Sequence, residues 1–175
     1  MIRILGILAI AFLIGTKSYS QNADLENLPP TIKDAIVTLQ SKGIDTIMVY
    51  HSYCIGCETL GTTKECEGFG SARILWKKNG KDFSQRVYCS KAPSEVSETN
   101  SLAFKYFLEN RQTLSERKPI AKGKFYPPLT VHYFGEEFYL SIGKKWYFTK
   151  LHDDQKESKE WKRFSWILPT LRLQS

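Results

Sequence analysis

The chain has little of what most enzyme signatures require. Three histidines and four cysteines are spread over 175 residues. No histidine belongs to an HExxH helix and no serine to a GxSxG elbow, which removes the motif-level case for a zinc peptidase or a serine hydrolase. There is no repeat of fixed period and no low-complexity tract, so solenoids, propellers and disordered tails are not supported. Acid is the minority charge, 18 Asp and Glu against 25 Lys and Arg. Long apolar runs are also missing. The longest, Ile4 to Ile14, falls well short of the ~20 residues a spanning helix needs.

That short run sits behind Arg3 and ahead of the polar segment Gly15 to Ser20, with Ser18 and Ser20 as small residues. This is the pattern of a cleavable export signal, and it predicts cleavage between Ser20 and Gln21. No cysteine follows until Cys54, so a lipoprotein anchor is not expected, and no stable membrane anchor follows from the pattern. Removing residues 1–20 leaves residues 21–175 as a single mature domain. The signal carries two of the basic residues and none of the acids, so the mature balance is 23 to 18, a net charge of +5. That excess fits an anionic envelope component or an acidic protein as partner, in the periplasm or the secreted medium, and calls for no nucleic acid.

The fold class expected is α+β: a mainly antiparallel sheet of hairpins with two helices, stabilised by disulfides. Thr31 with Asp34 resembles a capping box, Ile32, Ala35, Ile36 and Leu39 follow at helical spacing, and Gly43 is placed to stop the helix. Asp45 to His51 reads as a strand. Ala72 to Tyr88 reads as a hairpin around Asn79-Gly80, with Lys78 opposite Lys81, Trp76 opposite Phe83 and Ala72 opposite Val87. One face of it is then core. The other carries Arg73, Ser84, Arg86 and Tyr88, with Arg73 and Arg86 either splayed into water or holding an anion. A second helix is expected over Ser97 to Thr113.

Leu129 to Lys150 suggests a three-stranded meander with turns at Gly135-Glu136 and Gly143-Lys144. Its aromatic face, with His132, Tyr139, Trp146 and Phe148, is either displayed to a ligand or covered by the C-terminal tail. In that tail helical and strand spacings compete, Pro169 interrupts both, and Leu171 to Leu173 reads as one more short strand. The basic loop Glu116 to Pro128, with Lys118, Lys122 and Lys124, lies beside this sheet as a candidate contact surface. His51, His132 and His152 read as ordinary strand or loop residues.

The hairpin register places Cys89 beside Gly70 and near Cys66, which favours a Cys66–Cys89 bridge. Cys54 with Cys57 follows by elimination, and crossed pairs remain open. The segment Thr46-Ile-Met-Val-Tyr-His-Ser-Tyr-Cys54-Ile-Gly-Cys57 resembles the strand and active-site motif of the thioredoxin and glutaredoxin families. That resemblance implies a thiol-disulfide oxidoreductase in which Cys54 attacks as a thiolate and Cys57 resolves the mixed disulfide. Those families run from the motif into a long helix, whereas Glu58 to Gly70 here holds three glycines and no helical stripe. Four thiolates, with His51 as a substitute, would also suit a structural zinc. The reading adopted from sequence is an exported binding or interaction module without catalytic activity, needing no cofactor or metal, with Cys54 and Cys57 in a structural clasp. Its candidate binding residues are Lys118, Lys122, Lys124, Arg73, Arg86, His132, Tyr139 and Trp146.

Overall fold

A computed structural model describes residues 25, 28–55, 69–89, 91–112, 133–143, 145–152 and 166–172. The elements in chain order are α1 (Pro30–Ser41), β1 (Thr46–Ile55), β2 (Phe69–Lys78), β3 (Lys81–Tyr88), β4 (Ser97–Thr99), α2 (Leu102–Glu109), β5 (Tyr133–Ile142), β6 (Lys145–His152) and α3 (Leu168–Arg172). The strands form one six-stranded sheet in the order β4-β3-β2-β1-β5-β6, with every neighbouring pair antiparallel. The expected α+β class and antiparallel sheet are therefore present.

Helix α1 starts at Pro30, whose fixed φ suits the first helical position. Starting there puts Thr31 inside the helix, two positions past the N-cap and unable to cap it. The N-cap is Pro29 and no side chain caps the end, so the Thr31–Asp34 capping box does not form. The C-terminal end follows expectation. Gly43 has φ +75, its N–H donates to Gln40, and the Ile44 N–H reaches back to Leu39. This is a Schellman closure, and Leu39 and Ile44 both join the core behind it.

The β2–β3 hairpin turns at Asn79 (φ 52) and Gly80 (φ 77), the two positive φ values of a type I′ turn. Its register matches expectation at Lys78↔Lys81, Trp76↔Phe83, Arg73↔Arg86 and Ala72↔Val87. Both faces of the sheet are covered. On one, Ile32, Ile36 and Leu39 of α1 join Ile47, Val49, Ile74, Trp76, Val87, Tyr139, Trp146 and Phe148. On the other, Phe104 and Phe107 of α2 and Leu168 and Leu171 of α3 join Met48, Tyr50, Leu75, Phe138, Leu140 and Tyr147.

Four further expectations are corrected. Gly135-Glu136 is not a turn: β5 runs unbroken through it, paired with β1, and Gly135 lies opposite Tyr53. The Tyr53 ring occupies the space a Cβ at position 135 would need, so the glycine serves a cross-strand aromatic contact. Ser97–Thr99 is an edge strand on β3 instead of the first turn of a helix, because Ser101 supplies the N-cap, its Oγ accepting from the Phe104 N–H at 3.3 Å. Pro169 sits in the first turn of α3, where a missing N–H costs nothing, so Leu171 is helical and not part of a strand. Finally, the described part of the tail, residues 166–172, does not pack on the Tyr139–Trp146–Phe148 face. Ile167, Leu168 and Leu171 pack on the opposite one, and the aromatic face is covered from the α1 side. No helix among the described residues is long and apolar enough to cross a membrane.

Candidate functional site

A groove of about 610 Å³ runs along α1, from Thr31 to Lys42, between the helix and the β2–β3 hairpin. Its apolar lining comes from Ala35 and Leu39 of α1, Ile44 after it, Trp76 of β2, and Phe83 and Val87 of β3. Trp76 and Phe83 stack across the hairpin with ring centroids 6.0 Å apart. Among the described residues three lysines from separate segments also line it, Lys42 after α1, Lys78 at the hairpin turn and Lys91 after β3, against a single carboxylate, Asp34. Lys91 is steadied by the Tyr88 ring, 4.1 Å below its ammonium. Val96 stands at the groove and is 53% exposed, an apolar side chain left to solvent. The volume falls within the ~300–1,000 Å³ typical of organic-ligand sites.

A second polar constellation lies deeper, on the same face of the sheet. Glu137 of β5 is buried. Its Oε1 accepts from Lys150 Nζ at 2.7 Å and its Oε2 from the Tyr139 hydroxyl at 2.8 Å, with His51 Nδ1 3.5 Å from Oε2. Tyr53 stacks on His51 and lies beneath the Lys150 ammonium. Burial alone would push the Glu137 pKa up. The donors His51, Lys150 and Tyr139 outweigh burial and hold it at about 2, below the usual 4.5. A carboxylate that acidic is a poor proton acceptor near neutrality, so this cluster is an electrostatic anchor joining β1, β5 and β6.

The third constellation is on the opposite face. Arg73 and Arg86 oppose each other and, with Ser84, Gln85, Tyr88, Ser94 and Ser97, line a cleft of about 140 Å³. The two arginines do not splay into water together. Arg73 is only 7% exposed because α3 closes over that face, and its Nη1 donates to the Leu171 carbonyl at 3.1 Å.

Of the sequence-derived binding residues, the structure brings together Arg73 and Arg86. Tyr139 and Trp146 are buried in the α1-side core. Lys118, Lys122, Lys124 and His132 lie outside the described residues, as do Cys57 and Cys66. Among the described residues no cysteine is a free thiol and no group of three potential metal ligands occurs. Cys54 lies within β1 opposite Phe134, on the face of Tyr50 and Ser52. Cys89 packs against the core of the opposite face.

The groove went unrecognised in sequence because Lys42, Lys78 and Lys91 lie at the ends of different elements. The one available signal was the apolar face of the hairpin beside an amphipathic helix too short to cover all of it. Comparison of the chain with protein-family models, curated proteins and solved structures found no match.

Proposed function

We propose that this chain is an exported binding module that takes up an anionic amphiphile, an apolar body with a carboxylate head, in the groove between α1 and the β2–β3 hairpin. The observation that carries this reading is the pairing, among the described residues, of an apolar lining with three lysines and one carboxylate in a single 610 Å³ groove. The apolar lining would take the body of the ligand and the lysines its head, the usual division between affinity and orientation in small-molecule sites. The mature net charge and the signal-like residues 1–20 agree with an anionic ligand met outside the cytoplasm.

Calorimetric titration with dodecanoate tests it. The parent is expected to bind one equivalent, and Lys42→Glu/Lys78→Glu to bind roughly tenfold more weakly, since each exposed charge is worth up to ~1 kcal/mol. Thr38→Trp, which places a large ring on the groove wall, is expected to block uptake. Equal affinity in all three proteins would sink the proposal.

The same reading gives the cysteines a structural role. Support comes from the absence of free thiols among the described residues, together with the opposite faces of Cys54 and Cys89. β2 separates the two, too far for one S–S bond. Two pairings then remain, Cys54–Cys57 with Cys66–Cys89, or Cys54–Cys66 with Cys57–Cys89, and the first is the one proposed. Peptide mapping without reductant is expected to recover a Cys66–Cys89 peptide. A Cys54–Cys89 peptide, or four free thiols with one bound zinc, would contradict the assignment.

A further inference from the structure

Two arginines directly opposed on adjacent strands weaken a ladder unless something offsets their repulsion. Here one of them is also buried. Burial and then the neighbouring Arg86 lower the Arg73 pKa, so the surroundings disfavour the charge that Arg73 nonetheless carries. Arg73 is held by the Leu171 carbonyl. Arg86 is half-buried, and among the described residues its guanidinium has no ion-pair or hydrogen-bond partner. Among the described residues no carboxylate lines the cleft the two arginines share.

The rest of the lining is rich in hydroxyls. Ser84 Oγ and Ser97 Oγ are 3.2 Å apart, and a bond between them uses only one of their two protons. Ser94 holds the open edge of β3, its N–H donating to the Arg86 carbonyl at 2.8 Å and its Oγ accepting from the Arg86 N–H at 2.9 Å. Gln85 Nε2 adds a bond to the Ser94 carbonyl, so the wall beside Arg86 is fixed. At about 140 Å³ the cleft is smaller than the ~300 Å³ at which organic-ligand sites begin, and suits a single compact ion.

We propose that this cleft binds a phosphate group, with the Arg86 guanidinium as its principal ligand, Arg73 as a second positive charge behind it, and the Ser84–Ser97 hydroxyls as donors. A planar guanidinium matches two phosphate oxygens at once, and a dianion between the two arginines turns their repulsion into attraction. The site centres on the Arg73–Arg86 face of the sheet, opposite the core of the amphiphile groove, and shares Gln85 and Tyr88 of its wall with that groove.

The test is calorimetric titration of the mature chain with inorganic phosphate at low ionic strength, against chloride at matched ionic strength. Saturable one-to-one binding is expected, weakened at least tenfold in Arg86→Gln and severalfold in Arg86→Lys, which keeps the charge but loses the planar fork. Unfolding midpoints in chloride establish that each variant is folded. Glycerol phosphate is the second probe. Binding comparable to inorganic phosphate assigns the site to a phosphate monoester, and binding of inorganic phosphate alone assigns it to the free ion; either supports the proposal. No saturable binding by the parent, or equal affinity in the parent and Arg86→Gln, overturns it.

Discussion

Glu137→Ala is expected to lower the unfolding free energy by about 3–5 kcal/mol, measured by urea denaturation at pH 7. The loss does not come from one contact. Lys150, Tyr139 and His51 all converge on this carboxylate, and removing it leaves a cation and a buried hydroxyl without their acceptor. Glu137→Gln keeps an oxygen for Tyr139 but not the charge that faces Lys150, so its cost should be smaller.

The two variants also separate packing from charge through pH. The folded pKa of Glu137 is depressed, to about 2 from 4.5. Its contribution is therefore complete above the unfolded value and is lost as pH falls from ~5 towards ~2, an amount of about 3 kcal/mol for a shift of that size. Glu137→Gln should lack this part of the acid dependence. A variant whose stability falls over that interval as steeply as the parent's would show that the carboxylate is not held as described.

Phe107→Ala should be comparably severe, about 3–5 kcal/mol, because a fully buried ring is lost with little prospect of collapse around the gap. The Phe107 ring lies 4.9 Å from that of Phe138 and 5.7 Å from that of Tyr106, at the junction of α2 with the sheet. It is one of the side chains that hold the second helical layer on. Leu102→Ala on the same helix is the control: Leu102 is 63% exposed, and its loss should cost less than about 0.5 kcal/mol. Equal effects would mean that the helix does not face the sheet as described.

What could be read from sequence was local. Asn79-Gly80 dictated a turn type, the turn dictated a register, and the register correctly paired Arg73 with Arg86. Gly43 ended α1 for the same kind of reason, its tolerance of positive φ. What could not be read depended on partners distant in sequence. Gly135 resembles a turn residue until Tyr53, from β1, is known to cover it. The Arg73–Arg86 face looked solvated because nothing in the hairpin itself shows that α2 and α3 fold over it. The aromatic face of β5 and β6 was correctly grouped at Tyr139, Trp146 and Phe148, but its cover could not be read locally, and α1 packs on it. The groove was least legible of all, since it is a gap left between elements and its lysines share no local motif.

Ligand uptake in the groove is tested by following the backbone amide resonances of the mature chain during titration with dodecanoate. Saturable shifts are expected at Ala35, Thr38, Leu39 and Ile44 on one side of the groove and at Trp76, Phe83 and Val87 on the other, with the Phe104–Phe107 layer unmoved. Shifts centred on the α2 and α3 face, or none at saturating ligand, would contradict uptake there.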